Sequence, residues 1–541
     1  LSRVTPLGIF ELTSTEEITQ LDSHQGSSAA GRASADWRFA VIVTMIYSGW
    51  VGYVALHHEC WRDEADVWLA ARDMSPAQLF RWLGGAGTPG LWYFMVMPLA
   101  KAGLPYGSML FLHVAIAIAF AALIALLSPF PRLFKVLIIF SYYFLYEFAV
   151  VARSYGLTVL LLMLIAIALT APRRKMVVLG GLLFLLFNAN AHGFFIAGSI
   201  SLIVLIEAIR RREMSGATLI GGCIAALGGV IAFLQLLPPP GAHPPASKPQ
   251  WTAFGDAFSQ VFLPHVPAYL GFFLRHSHGL TAVAEAAFLA IRWCGALIAL
   301  TILFRIRRSS MAVAMVSLSW AALLYIFVFK WYGGERHAGL LFALLIFGLW
   351  VSRWPWPKTE SGSSSIFAPQ APLGLKVFAA SLFVSCTTGA LWSIQEIRWE
   401  YSGAKSAAAF IDSHHLAHFP IATNPGPQCE SVFPYLPHSR FWIIGRQEYG
   451  TYVKWDKRWD QEYALSDAEL IKRVREKFPR ELHLLMLASK PLADPNGFGY
   501  ELIYSESRRV FDDNAHDEDY FIYMPSDQRI GNRADSSTPA R

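Results

Sequence analysis

The sequence predicts an α-helical polytopic membrane protein, with about 11–13 transmembrane helices, followed by a C-terminal soluble α/β domain. Three observations predict it. Only 16% of the 541 residues are charged against 54% hydrophobic, and the mean hydropathy is +0.38. That leaves too few charges to clothe a soluble globule of this length. The apolar residues fall in long runs separated by small basic clusters. From about Gln395 the runs stop, the acids accumulate, and short apolar strands alternate with helical stretches. The net charge of +6 is no nucleic-acid footprint, because the basic residues sit between apolar runs as cytoplasmic loops do.

Residues 1–36 are polar, rich in Ser, Thr and Glu, and read as a disordered cytoplasmic tail without a cleavable signal peptide. The transmembrane domain is placed at 37–394. Its apolar runs are Phe39–Leu56, Gly107–Leu127, Val136–Val150, Gly156–Ala171, Met176–Ala189, Gly193–Ile209, Ala217–Leu237, Ala282–Phe304, Met311–Phe329, Ala338–Val351 and Leu373–Ile394. Several are shorter than the roughly 20 residues of a perpendicular span. Five basic clusters follow alternate spans: Arg132/Lys135, Arg173-Arg174-Lys175, Arg210-Arg211-Arg212, Arg305/Arg307/Arg308 and Arg353/Lys358. All fall on one side, which the positive-inside rule makes cytoplasmic. The N-terminus is then expected to be cytoplasmic, and the loop 57–90 and everything after Ile394 to face the outside. Leu91–Gly103 is short for a crossing and reads as a partial or re-entrant helix. Phe262–Leu274, after the Pro-rich loop Pro238–Pro249, reads as interfacial. Ser75-Pro76-Ala77-Gln78 is a capped helix start with Pro in its first turn. In the domain 395–526, strands are expected at Phe419–Thr423, Phe441–Ile444, His483–Ala488, Tyr500–Tyr504 and Asp519–Met524. Helices are expected at Gly403–Ile411 and Asp467–Phe478, and 527–541 reads as a disordered tail.

Function concentrates where the first run ends. His57-His58-Glu59-Cys60-Trp61-Arg62-Asp63-Glu64-Ala65-Asp66 places four carboxylates in eight residues directly after a span. General-base chemistry needs a carboxylate near an incoming hydroxyl, while the bland reading is a solvated, charge-rich loop. Ionisable residues also interrupt apolar runs: Glu147 and Arg153, His192, and Lys330 with Glu335, Arg336 and His337. On the topology above, Arg153, His192 and Arg336 reach the same level as the acidic loop. Groups near hydrocarbon face a polar cavity or pair with one another. Their shared level favours a cavity whose cations suit a phosphate or pyrophosphate; helix-holding ion pairs are the competing reading. His57 and His58 with Glu59 or Asp63 offer a poor metal site, because adjacent histidines point apart and no third ligand has suitable spacing. No cofactor is expected, and a divalent metal is the disfavoured alternative. Cys60 and Cys429 could share an oxidising compartment and pair, a minority reading.

Taken in order, Trp61-Arg62-Asp63-Glu64-Ala65, Gly87-Thr88-Pro89-Gly90-Leu91-Trp92-Tyr93, Ala152-Arg153-Ser154-Tyr155, Ala191-His192-Gly193-Phe194 and Glu335-Arg336-His337 resemble the GT-C superfamily of membrane glycosyltransferases. The protein O-mannosyltransferases and bacterial aminoarabinose transferases belong to it, and the resemblance covers residues 38–352. It implies transfer of a sugar from a polyprenyl-phosphate-linked donor to a lipid, glycan or protein acceptor at the periplasmic face, with inversion. Asp63 matches the general base, and Glu64 would position the base or the acceptor. Arg153, His192 and Arg336, with Tyr155, His337 and Lys330 beside them in the motifs, would hold the donor phosphate. Trp61, Asp66, Trp92 and Glu147 would line the acceptor and sugar pocket. Thr88 stands where many relatives carry His. The rival reading is a transporter or flippase of a lipid-linked or anionic solute, which should show related halves and charges along a whole path.

Overall fold

The computed structural model describes residues 36–172, 175–241, 248–265, 281–353, 356, 371, 373–479, 483–505 and 518–526. The tails expected at 1–35 and 527–541, the residues Arg173, Arg174 and Lys358, and positions 266–274 of the interfacial segment lie outside these. Fifteen helices open the described chain. They are α1 (Asp36–Ala55), α2 (Arg62–Asp73), α3 (Pro76–Ala86), α4 (Leu91–Lys101), α5 (Ser108–Leu127), α6 (Arg132–Ile139), α7 (Ser154–Thr170) and α8 (Met176–Ala189), then α9 (Ala191–Arg210), α10 (Gly216–Leu236), α11 (Thr252–Phe262), α12 (Thr281–Ile306), α13 (Ser310–Phe329), α14 (Glu335–Val351) and α15 (Leu373–Arg398). Six of them, α1, α5, α9, α10, α13 and α15, are each long and apolar enough to cross a bilayer. With the shorter apolar helices α7 and α8 and the stretch Trp293–Phe304 of α12, they make a multi-pass membrane protein.

Burial separates interior from lipid-facing helices. Every residue of α14 from Ala338 to Trp350 is buried, so this helix, apolar all round, is the centre of the bundle. In α10 only Thr218, Gly221, Ala225, Gly228, Ala232 and Gln235 are buried, three or four apart, while Leu219, Leu227 and Phe233 point outward. That stripe of small residues lets α10 approach α8 at backbone distance: a Cβ on Gly180 would stand 2.2 Å from the Gly221 carbonyl oxygen.

The expected run Val136–Val150 is not one helix. It divides into α6 and a π-helical turn, Tyr143–Glu147. At the break the Tyr142 amide leaves the helical ladder and donates to Ser385 Oγ of α15 at 3.1 Å. The extra residue of the π turn carries Glu147 round towards α14. Ser75 caps α3 in a reciprocal box: Gln78 N–H donates to Ser75 Oγ at 3.3 Å, and Ser75 N–H to Gln78 Oε1 at 2.8 Å. The segment after Gly90 is the 11-residue α4, with Pro98 inside it.

The C-terminal unit is built from α16 (Ala404–Ser413), β1 (Ile421–Asn424), α17 (Gly426–Cys429) with a 3-10 turn Glu430–Tyr435, β2 (Phe441–Ile443), β3 (Glu448–Tyr449), α18 (Trp459–Tyr463), α19 (Asp467–Lys477), β4 (Leu485–Ala488), β5 (Tyr500–Ser505) and β6 (Phe521–Pro525). Its sheet runs β3-β2-β1-β4-β6-β5, parallel across β2-β1-β4 and antiparallel at both edges. Alternation along the strands gives the sheet two apolar faces. Ala422, Trp442, Met486 and Tyr523 pack on Leu470, Ile471 and Val474 of α19. Ile421, Phe441, Leu485 and Ile522 join the same continuous core as the membrane helices. The 3-10 turn packs on α2, so this unit lies against the acidic helix. Cys60 and Cys429 are both buried free thiols, so they do not pair.

Candidate active site

Helix α2 begins at the acidic stretch, and its first turn divides that stretch into two environments. Successive residues on a helix point about 100° apart, so Asp63 and Glu64 cannot face the same way.

Glu64 turns inward and is fully buried. Its Oε1 accepts the Ala152 N–H at 2.5 Å. Its Oε2 accepts the Trp61 N–H at 3.1 Å, closing the start of α2, and also meets His58 Nε2 at 2.9 Å. The other ring nitrogen, His58 Nδ1, lies 2.9 Å from Glu396 Oε1 near the end of α15. Tyr146 of the π turn donates to the other Glu396 oxygen. Burial alone would push the His58 pKa down, but Glu64 and Glu396 outweigh it and raise it well above the ordinary imidazole value. Both ring nitrogens therefore donate, as an imidazolium between two carboxylates. Burial likewise would raise Glu64, yet His58 and the Ala152 and Trp61 amides pull it below its usual range.

Asp63 turns outward, with a third of its side chain exposed. Its Oδ2 lies 3.2 Å from Arg153 Nη1 and 3.3 Å from Arg336 Nη1. Arg153 is the N-cap of α7 and also donates to the Asp63 carbonyl; Arg336 opens α14. Burial would raise the Asp63 pKa, and Arg153, Arg336 and Arg62 together hold it below the ordinary aspartate value. The Arg336 guanidinium also lies 4.7 Å over the Trp61 ring and 3.6 Å from Glu147. Tyr142 donates to Glu147 at 2.8 Å.

Beside the two arginines stand three more of the residues singled out by sequence. His337 Nδ1 accepts the Gly334 N–H at 3.0 Å, which leaves its proton on Nε2, 3.0 Å from the Tyr155 hydroxyl. The His192 ring lies 4.7 Å from that of His337, and its Nε2 is buried without a hydrogen-bond partner among the described residues.

Asp66, one turn beyond Asp63, accepts from Tyr93 at 3.1 Å through Oδ2. Burial and the nearby Asp63 raise its pKa to about 7 against the pull of Arg153 and Tyr93. The C-terminal unit adds acids that the sequence did not point to. Glu430 on the 3-10 turn is buried and raised well above the usual range, by burial first and then by Asp66 and Asp63. Glu518, also buried, accepts the Arg62 N–H at 3.1 Å and so ties the start of α2 to the end of the chain.

Two residues sit apart from this group. Lys330 is exposed at the C-cap of α13 and makes no ion pair with the group among the described residues. Trp92 is buried against His113, ring centroids 5.7 Å apart, because it points away from the face on which Tyr93 reaches Asp66. For a metal, His57 is excluded by direction, its Nδ1 lying 2.9 Å from the Tyr53 carbonyl oxygen. His58, Cys60 and Glu64 do converge, with candidate ligand atoms within 4.8 Å of one another. A cation there fits poorly, because both His58 nitrogens already serve carboxylates.

No protein-family profile matches the chain, and no curated protein matches it. Among solved structures it is similar to ArnT from Cupriavidus metallidurans bound to undecaprenyl phosphate, at 12% identity and a TM-score of 0.49, over 92% of this chain and 98% of that one. ArnT from the same organism in the apo state gives 12% identity and a TM-score of 0.44 over the same shares.

Proposed function

We propose that the protein is an integral membrane glycosyltransferase. It moves one sugar from a polyprenyl-phosphate-linked donor to an acceptor hydroxyl at the periplasmic face of a bacterial inner membrane. One observation carries this reading: the partly exposed Asp63 carboxylate lies within 3.3 Å of two guanidiniums, on a helix outside the membrane spans. A base and an anion site then stand side by side.

In the resting site the two arginines hold Asp63 ionised but occupied. A donor phosphate draws them towards itself, and charge-assisted bonds to phosphate replace those to the carboxylate. Asp63, released, accepts the proton of the acceptor hydroxyl. The hydroxyl oxygen bonds to the anomeric carbon from the face opposite the phosphate, the bond from that carbon to the phosphate oxygen breaks, and configuration inverts. Arg153 and Arg336 stabilise the charge that develops on the leaving polyprenyl phosphate. With the His337 proton directed at the Tyr155 oxygen, the Tyr155 O–H is free to donate to the phosphate, and the unpartnered His192 Nε2 borders the same space. Trp61 and Glu147 fix Arg336, while Glu64 holds the helix that carries the base.

The test uses purified protein in lipid, a panel of polyprenyl-phosphate sugars, and Asp63→Asn beside wild type. Turnover of one donor by wild type, lost in Asp63→Asn with donor binding retained, is the expected result. If wild type leaves every donor intact yet moves one across sealed vesicles, the reading is overturned in favour of a transporter.

A further inference from the structure

A cavity of about 230 Å³ lies where the end of α1 meets the start of α5, on the side of the bundle that carries the C-terminal unit. Its deeper wall is apolar: Gly52 and Leu56 on α1, and Leu110, Phe111 and Val114 on α5. Its upper wall is polar: the Tyr106 ring, Tyr435, and Lys405 from α16. Leu56 is 66% exposed and Phe111 68%, so the cavity opens laterally, where lipid surrounds the bundle. Glycines keep it wide. A Cβ built on Gly52 or Gly107 meets no atom within 4 Å.

Order of depth is what identifies an occupant. Apolar wall below and cation above, at the end of a membrane-spanning helix, repeat the sequence of hydrocarbon and headgroup in one leaflet. The Lys405 side chain is 54% exposed, and its ammonium is 3.8 Å from Glu59, outside hydrogen-bond reach, so its donors are available to an anion. The Tyr106 hydroxyl is buried beside the Cys60 thiol and makes no hydrogen bond of ordinary geometry among the described residues.

We propose that this groove binds a glycerophospholipid of the outer leaflet, one acyl chain between α1 and α5 and its phosphate on Lys405. The site is separate from the Asp63 cluster and does not depend on the sugar-transfer reading. Its inner wall includes His58, whose fully buried imidazolium holds Glu64.

The experiment is photo-crosslinking of the whole protein in nanodiscs, with two probes that carry the same photoreactive acyl chain. One is phosphatidylglycerol and the other is diacylglycerol, which lacks the phosphate. Labelled peptides are mapped by mass spectrometry. Phosphatidylglycerol should label the α1 and α5 peptides about fivefold more than diacylglycerol, and Lys405→Gln should remove that preference. Gly52→Leu, at a position where a Cβ meets no neighbour within 4 Å, should abolish labelling by both while the unfolding midpoint holds. Equal labelling by both probes in wild type would overturn the phosphate contact, leaving an ordinary lipid-facing seam. Displacement of the label by undecaprenyl phosphate would overturn the assignment in favour of a donor-chain site. Neither result bears on whether Asp63 supports sugar transfer.

Discussion

Asp63 and Glu64 are neighbours in the chain with the same charge, and their surroundings make them opposites. Glu64 is sealed, and both of its oxygens are satisfied by two amides and an imidazolium. Asp63 is a third open to solvent, and its partners are side chains that a ligand could take. A saturated buried carboxylate has no capacity left for chemistry, and removing it strands a charge. An open carboxylate opposed by side-chain cations can exchange partners with a ligand that competes for them. One residue of helical rotation separates a sealed carboxylate from an open one.

The largest expected effect sharpens this contrast. Asp63→Asn should lower sugar turnover by about 10²–10⁴-fold, the range of general-base loss, with the unfolding midpoint little changed. A collapse of stability in that variant would erase the distinction. Glu64→Gln should do the reverse: thermal unfolding should register a loss of about 3–5 kcal/mol, as for any broken buried ion pair. Glu64→Gln protein as stable as wild type would break the comparison from the other side. Arg336→Lys keeps the charge but loses the fork and the planar contact with Trp61, so donor affinity should fall about tenfold by equilibrium binding.

A smaller effect concerns pH. Asp66 titrates near 7 in the folded protein, raised by burial and by Asp63, against about 3.8 unfolded. Between those values the folded chain binds the extra proton, so stability falls as pH rises from about 4 to about 7. Asp66→Asn should flatten that fall in a series of melting curves, leaving the part due to Glu430. Least of all, Ser75→Ala should cost about 1 kcal/mol by opening the capping box of α3, without changing turnover.

What the sequence disclosed follows the range of the interaction. The helices α1, α5, α9, α10, α13 and α15, the Ser75 cap and the strands at Phe441, Leu485 and Tyr500 depend on local pattern, and they lie where pattern placed them. The common level expected of Arg153, His192 and Arg336 came from the alternation of basic loops; in the structure Arg153 and Arg336 meet at Asp63, and His192 stands beside His337. The break at Tyr142 was not legible, since its cause is Ser385, 243 positions away. Nor were the partners of His58, because Glu396 is 338 residues along the chain and looks like any acid at the end of a span. Trp92 entered the site through its motif, and adjacency in a helix sets it on a different face from Tyr93, while Lys330 closes α13, a different helix from the one that carries Arg336.

The bond from Arg62 N–H to Glu518 spans 456 residues, and the bond from His58 to Glu396 spans 338. The acidic helix is among the first segments to leave the ribosome, while these two ties are made late, one at the end of α15 and one just before β6. During synthesis, then, a chain already threaded through most of its spans carries an acidic stretch tied by nearer partners such as Tyr93, Ala152 and Arg153. The acidic cluster is therefore complete only once Glu396 and Glu518 have both been made.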